Sequence, residues 1–171
     1  MTTESFKTEV LPIKNKLYRF ALRMLSDHEE AQDTVQEVFL RLWSKREKLD
    51  EYRSIEAFAM IITKNLCLDK LKSSRSRNIE LKDQLETPGS ITPYDHTEKT
   101  DMKNKVINII NTLPEQQKMV IQMRDVEGLD YDEIAEVMEM SLNNVRVNLS
   151  RARKKVRDIL IKAQNYEFSN N

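Results

Sequence analysis

Glycine is almost absent from this sequence, with only two among 171 residues, whereas an average chain contains about 7%. Tight turns, phosphate-binding loops and the crossovers of parallel sheets use glycine because it adopts left-handed backbone conformations at little cost. A chain with so little glycine cannot build many of these features. The sequence therefore predicts an all-α fold.

The chain has one cysteine, Cys67, and no long apolar run. A lone cysteine cannot form an internal disulfide, and residues 1–16 lack the apolar core of a signal peptide. The longest apolar run is the six residues Ala57–Ile62, whereas about 20 are needed to cross a bilayer. We therefore expect a cytoplasmic protein that does not insert into a membrane.

Residues 76–101 differ in composition from the rest of the chain. Helical periodicity lapses after Ser73, and Pro88, Gly89 and Pro93 follow close together. Residues 78–101 carry six acidic and two basic side chains, and ordering such a segment costs entropy that few apolar side chains can offset. We predict an acidic, flexible linker at 76–101 between two small helical domains, 1–75 and 102–166. The alternative is one domain with an unusually long surface loop.

Two amphipathic helices are predicted in the first domain. Apolar residues at helical spacing run from Leu17 to Leu25 and again from Ala31 to Leu42, with Ser26 and Asp27 placed to cap the second helix. The other side of the second helix carries polar residues that a core does not need. They are Glu30, Asp33 and Glu37, with Gln36 beside them. Such a stripe is most simply a solvated face.

A third helix, beginning near Ile55, mixes basic and apolar side chains on one side. This combination suits an opened nucleic-acid strand, because phosphates need cations and unstacked bases need an apolar platform. A helix with lysines on its solvated face is the plainer alternative. The basic and apolar residues of this face cluster within about 80° on a helical wheel. They are Lys64, Leu68, Lys72 and Arg75, with Ile61 among them and Asn65 at the edge.

The second domain begins with capping signals. Thr112 and Glu115 are placed to cap a helix reciprocally, with Pro114 in its first turn, and Gly128 is placed to end that helix. The run Asp130–Glu133 repeats the capping signature. A short helix follows, then a tight break at which Ser141 is placed as the next N-cap.

The last predicted helix, 142–161, has an apolar seam and a basic opposite face. Val145, Leu149, Ala152, Val156 and Ile159 form the seam. This pattern predicts a helix-turn-helix whose second helix enters the DNA major groove, where asparagine pairs with adenine and an apolar side chain meets the thymine methyl. The outward-facing candidates are Asn143, Asn144, Arg146, Val147, Asn148, Ser150, Arg151 and Lys154, with Arg153 and Lys155 at the flanks.

Net charge and histidine content limit the possible functions. The net charge is zero, but residues 141–171 carry seven bases and two acids, so contact with nucleic acid must be confined to a patch or helped by a partner. His28 and His96 have no cysteine or paired carboxylate at ligand spacing. We expect no enzymatic activity, no metal site and no cofactor. A polymerase-independent helix-turn-helix regulator and a helical protein-binding adaptor remain alternatives.

Both halves of the chain resemble the extracytoplasmic-function (ECF) group of bacterial RNA polymerase sigma factors. In the first domain the resemblance rests on residues 33–39 (DTVQEVF), Trp43, Phe58, Lys64-Asn65, Leu68-Asp69 and Lys72. In the second it rests on residues 112–116 (TLPEQ), Gly128, residues 131–136 (YDEIAE), Ser141, Val145, Leu149 and residues 151–153 (RAR). The order and spacing of these motifs make the resemblance specific. It implies a sigma factor that binds core RNA polymerase and directs promoter-specific transcription initiation, including promoter melting.

The resemblance also implies roles for individual residues. Core polymerase would be bound by Asp33, Gln36, Glu37 and Phe39. The minus-ten element would be captured and held open by Tyr52, Arg53, Ser54, Phe58, Lys64, Asn65, Lys72 and Arg75. The minus-thirty-five element would be read by the outward-facing residues of the last helix. The acidic linker would run towards the RNA exit path, and an anti-sigma protein is an expected partner.

The sequence departs from the family pattern where the last helix faces DNA. The family often has Gly-Thr at Asn143 and Asn144, and a small polar residue followed by arginine at Val147 and Asn148. These differences predict a promoter site richer in A·T contacts than one read by arginine on guanine. Phe58 lies where the family often has tryptophan. This replacement keeps an aromatic ring on the third predicted helix, the one that the resemblance assigns to promoter melting.

Overall fold

The computed structural model describes residues 1–81 and 98–169. Those residues form helices and turns, with no strand among them, so the all-α prediction is confirmed. Residues 82–97, the middle of the predicted flexible linker, lie outside the described residues.

The N-terminal module contains four α-helices, α1 (Thr3–Glu9), α2 (Lys14–Leu25), α3 (His28–Ser44) and α4 (Ile55–Leu81), with short 3-10 helices at Leu11–Ile13 and Arg46–Glu51. α2 lies in the middle and packs against both α3 and α4. Its buried face contains Leu17, Phe20, Ala21 and Met24. The sequence analysis missed α1, which buries Phe6 edge-on against Trp43.

Over the described range 98–169 the C-terminal module has four α-helices, α5 (Glu98–Asn111), α6 (Glu115–Ile121), α7 (Tyr131–Met138) and α8 (Leu142–Ser169). α6 continues into a π-helical turn at Gln122–Val126. α8 packs against α5, α6 and α7. Its predicted apolar seam is confirmed, because Val145, Leu149 and Ala152 are buried and Val156 and Ile159 are half-buried.

Helices extend further than the sequence pattern predicted. α4 continues to Leu81 and α5 begins at Glu98, so both ends of the predicted linker at 76–101 are helical. The end of α4 lacks an apolar stripe and so has no face to bury, but its residues still favour a helix. α4 contains neither glycine nor proline, the two residues with the lowest helix propensity. α8 likewise continues past Ile161 to Ser169.

The predicted capping box at Thr112 and Glu115 is wrong. The Thr112 hydroxyl donates to the carbonyl oxygen of Ile109 at 2.7 Å, so it closes the last turn of α5. Pro114 is the N-cap of α6, without a side-chain cap. The threonine therefore ends one helix instead of starting the next.

The two modules pack against each other. α4 lies against α7, and α2 meets the π-helical turn. Arg19 of α2 forms a bidentate ion pair with the buried Glu127, with nitrogen–oxygen distances of 2.6 to 3.2 Å. Arg23 of the same helix donates to the Gln122 side chain at 3.3 Å. This arrangement decides which candidate functional residues reach the surface.

Candidate nucleic-acid interface

The turn between α7 and α8 is built as the sequence predicts. The Asp130 side chain accepts from Glu133 N at 2.8 Å and the Glu133 side chain accepts from Asp130 N at 2.9 Å, which confirms the capping box. Glu139 ends α7 in a left-handed conformation, and the Ser141 hydroxyl accepts from Asn144 N at 3.1 Å. Local hydrogen bonds thus fix the direction in which α8 leaves the turn.

α8 presents its predicted polar face to solvent. Val147 and Asn148 are half-buried, and the Asn148 amide donates to the carbonyl oxygen of Asn144 at 2.9 Å. A helix with its apolar seam buried and its amides and cations outward has the form that enters a major groove. The exposed candidates are Asn143, Asn144, Arg146, Ser150, Arg151 and Lys154.

Three arginines surround Tyr131, which the sequence analysis did not single out as a site residue. The guanidinium carbons of Arg124 and Arg146 lie 4.8 and 5.8 Å from the centroid of its ring. Arg153 makes a bidentate ion pair with Asp125 at 2.6 and 2.9 Å. Hydrogen bonding to Asp125 raises the pKa of Arg153 above its usual value, with Tyr131 contributing, so this cation is already matched by a carboxylate.

An aromatic pair lies at the start of α4. The rings of Tyr52 and Phe58 stack with centroids 3.9 Å apart and planes at 19°, and the Lys45 ammonium is 5.6 Å from the Phe58 ring. Arg53 beside them is exposed. A stacked, partly exposed pair with nearby cations has the chemistry of a platform for an unstacked base. Lys45 was missed because it lies at the end of α3, outside the matching motif.

Ser54 joins this region to the other module. Its hydroxyl accepts from Ala57 N at 3.1 Å, which caps α4, and donates to a Glu133 carboxylate oxygen at 2.6 Å. Ser54 is half-buried. One side chain therefore connects the predicted minus-ten loop to the capping box of the helix-turn-helix.

Lys64 lies at the module interface, although the sequence analysis predicted it on a DNA-holding face. Only 6% of the residue is exposed, and its ammonium donates to the carbonyl oxygen of Val137 at 2.7 Å and lies 3.7 Å from a Glu139 carboxylate oxygen. Its neighbours Asn65, Lys72 and Arg75 are exposed. α7 therefore covers the start of the predicted basic face, while Asn65 and Lys72 stay open to solvent and Arg75 forms an ion pair with Glu115 of α6 at 3.5 Å.

The acidic stripe of α3 is exposed except at the half-buried Glu37, and it is partly paired within its own module. Glu30 bonds Lys70, and Glu37 accepts from Arg41 at 2.8 Å. Asp33 and Gln36 are exposed. The Asp27 side chain accepts from Glu30 N at 2.9 Å, so the predicted N-cap of this helix is confirmed.

Apolar side chains continue the same face of α3. Leu40 is 66% exposed and Trp43 is 38% exposed. With Leu11 and the half-buried Phe39 they line a groove of about 830 Å³. Exposed large apolar side chains beside a charged stripe are typical of a protein-docking surface.

Neither a membrane span nor a metal cluster is found in the described part of the chain. Within residues 1–81 and 98–169 no helix is long and apolar enough to span a bilayer. Over the same ranges no group of three His, Cys, Asp or Glu side chains is placed to hold a metal ion.

Fold and surface together define an all-helical, two-module protein with a helix-turn-helix DNA-binding face. Family models match both modules, with "Sigma-70 region 2" matching residues 11–77 and "Sigma-70, region 4" matching residues 103–156. The chain belongs to the ECF group of RNA polymerase sigma factors, the class of protein that directs transcription initiation.

Individual relatives agree with this assignment. The ECF RNA polymerase sigma factor SigW of Bacillus subtilis is 24% identical over 155 residues, covering 84% of this chain and 82% of SigW. SigL of Mycobacterium tuberculosis is 29% identical over 143 residues, covering 82% of this chain and 80% of SigL.

Solved structures share the fold, and two of them show how closely it matches. The sigma factor RpoE of Bartonella quintana, in complex with the anti-sigma factor NepR, matches with a TM-score of 0.71 and 23% identity, covering 92% of this chain and 98% of that one. CnrH, in complex with the cytosolic domain of CnrY, matches with a TM-score of 0.67 and 21% identity, covering 94% and 90%.

Proposed function

We propose that the N-terminal module holds core polymerase and the minus-ten element while α8 reads the minus-thirty-five element. The supporting observation is that α8 turns its apolar seam to the core and exposes six of its eight candidate DNA-contacting residues. The modules correspond to domains at 1–75 and 102–166 with a linker between them. Such a protein acts by binding instead of by making or breaking bonds, and it works in the cytoplasm where polymerase and promoters are.

Core polymerase binds the exposed face of α3 in this proposal. Asp33, Gln36 and Glu37 supply polar and acidic groups for a basic partner surface, and Phe39 lines the adjoining groove. Leu40 is central to this face because it lies one turn after Gln36 and two turns after Asp33. Burial of this exposed leucine by a partner would stabilise the complex, because its apolar surface would be removed from water.

Promoter melting uses the aromatic pair and the basic end of α4. Tyr52 and Phe58 provide the platform for an unstacked base, with Arg53 and Ser54 in the adjoining loop, while Asn65, Lys72 and Arg75 follow the opened strand. Lys64 joins them only after α7 moves away, because its ammonium is bound to Val137 in the packed arrangement. We therefore infer that the modules separate before the minus-ten strand is held.

An anti-sigma protein is a proposed partner. In both of the solved structures described above the similar chain is bound to another protein, and in one of them a sigma factor is bound to NepR, which is named as an anti-sigma factor. The apolar groove beside α3 and the module interface of this chain are surfaces that such a partner can cover. Covering either one would compete with polymerase or prevent opening.

A retention experiment tests the polymerase surface. The full chain carrying Asp33→Arg with Glu37→Arg is expected to lose retention on immobilised core polymerase, because two acidic contacts become repulsive. Glu47→Arg with Glu51→Arg is the matched control, since both glutamates are exposed, share the i, i+4 spacing and change the net charge equally. Far-ultraviolet circular dichroism checks that helicity is kept. Equal retention of both double variants would contradict the proposal.

A further inference from the structure

Tyr131 occupies a central place among the cations of the helix-turn-helix. It is the first residue of α7, and its half-buried ring contacts Arg124 from the π-helical turn and Arg146 from the first turns of α8. Both guanidinium carbons lie within the roughly 6 Å at which a cation is attracted to a ring face. One aromatic ring therefore joins side chains from three consecutive elements.

The two arginines differ in how firmly they are held. Arg124 is half-buried and its Nη1 donates to the carbonyl oxygen of Leu129 at 2.7 Å. Arg146 is exposed, and a free arginine side chain on a helix surface loses about 2 kcal/mol of rotamer entropy when a ligand fixes it. Contact with the ring restricts Arg146 in advance, so less of that entropy is lost on binding.

Three acidic side chains of this segment already have partners. Asp125 pairs with Arg153, and Asp130 and Glu133 bind each other's backbone amides, with Glu133 also accepting from Ser54. Two guanidiniums near one ring repel each other, and an anion close to either of them reduces that repulsion. Planar guanidiniums match the oxygens of a phosphate, and DNA backbone phosphates flank any helix in a major groove.

We propose that Tyr131 is a positioning residue that holds Arg146, together with Arg124, to receive a backbone phosphate of the upstream promoter duplex. The inference rests on the proposed function of α8 and adds to it a residue that lies on α7. Tyr131 acts on Arg124 and Arg146 through its ring, whereas its hydroxyl interacts with Arg153, which is already paired with Asp125.

Holoenzyme binding to a promoter duplex tests this assignment. Polymerase is reconstituted with the full chain, and the duplex is a fragment from which the unmodified holoenzyme initiates transcription. Tyr131→Leu and Arg146→Ala are each expected to weaken binding by about three- to fivefold and to make the salt dependence shallower, and Tyr131→Phe is expected to stay within about twofold. In the Arg146→Ala background, Tyr131→Leu should have little further effect.

Two outcomes would overturn the proposal. One is fully additive loss in the double variant, which would mean that Tyr131 acts independently of Arg146. The other is an equal loss in Tyr131→Phe and Tyr131→Leu, which would assign the role to the hydroxyl. If the unmodified holoenzyme binds no promoter fragment, the proposed function itself is wrong. The claim that Tyr131 positions Arg146 is then tested by a second measurement.

The second measurement needs no DNA and no destabilising variant. In a ¹H–¹⁵N spectrum of the full chain, the Nε–H signal of Arg146 is expected to be shifted upfield by the Tyr131 ring and to keep that shift in Tyr131→Phe. Arg157, which is exposed on the same helix, is the reference. An Arg146 signal at the position of the Arg157 signal would overturn the positioning role.

Discussion

The ion pair between Arg19 and Glu127 makes the closed arrangement of the modules testable. Three hydrogen bonds of 2.6 to 3.2 Å join the two side chains, and the Gln122 amide also donates to Glu127 at 2.9 Å. The hydrogen bond to Glu127 raises the pKa of Arg19, so the guanidinium stays charged at any working pH. Arg19→Met keeps most of the side-chain stem and removes the charge.

The size of the effect follows from the burial of the two partners. Removing one partner of a fully buried pair costs about 3–5 kcal/mol. The Glu127 side chain is fully buried, but that of Arg19 is 48% exposed, and the Gln122 hydrogen bond remains. Water screening therefore reduces the expected cost to about 1–2 kcal/mol. Separation of the modules relieves this cost, so Arg19→Met shifts the closed–open equilibrium by about tenfold towards the open form.

Energy transfer between dyes measures this shift. One cysteine replaces Glu47 in the N-terminal module and another replaces Lys155 on α8, both at exposed positions. Burial raises the pKa of the Cys67 thiol to about 12, so the native cysteine does not compete for dye near neutral pH. Arg19→Met should enlarge the low-transfer population. Arg41→Met is the matched control, because Arg41 pairs with Glu37 at the surface of one module.

One result would refute the reasoning directly. If Arg19→Met lowered the melting temperature without changing the transfer efficiency, the ion pair would stabilise a single fixed body. The opening step that frees Lys64 would then be wrong. A change of equal size in Arg41→Met would show that loss of positive charge, and not the interface, controls the distance.

Four further single substitutions have expected outcomes. Val147→Ala should alter discrimination at one T·A position by about 1 kcal/mol in a promoter-library selection. Arg151→Ala should instead weaken binding to all sequences and reduce the slope of affinity against salt concentration. An unchanged library profile for Val147→Ala would contradict the predicted contact with the thymine methyl group. Gly128 has a φ of +81° and open space around its Cβ position, so Gly128→Ala should cost about 1 kcal/mol of unfolding free energy through backbone strain alone, measured by urea denaturation. Because burial raises the folded-state pKa of Cys67 to about 12 from an ordinary 9.0, its contribution to stability should be full below pH 9 and fall between pH 9 and 12, and Cys67→Ala should remove that part of the pH dependence.

Local signals predicted the helix-turn-helix well because its geometry is fixed by neighbours in sequence. Asp130 and Glu133 cap each other, and Ser141 caps α8, each through hydrogen bonds spanning three residues. The period of the apolar seam then determines which side of α8 faces outward. Thr112 shows the limit of such signals, since one hydroxyl can serve the helix before it or the helix after it.

Contacts between modules have no comparable signal in the sequence. Lys64 binds Val137 and Ser54 binds Glu133, each more than 70 positions away in the sequence. A helical wheel shows that α4 has a second semi-apolar face, but it does not show which element covers that face. Tyr131 was overlooked as a site residue for a related reason, because its arginines come from different elements.

The closed packing leaves one of the two proposed DNA-binding surfaces exposed and covers part of the other. α8 keeps its basic face in solvent, whereas Lys64 gives its ammonium to a backbone carbonyl of α7 and Ser54 gives its hydroxyl to Glu133. In the closed arrangement the Lys64 ammonium needs its carbonyl partner, because an unpaired buried cation is costly. Opening exposes this ammonium to water and to phosphate. Binding of the opened DNA strand can therefore offset the free energy that separating the modules costs. Upstream duplex recognition needs no such exchange, and we therefore expect it to precede strand capture.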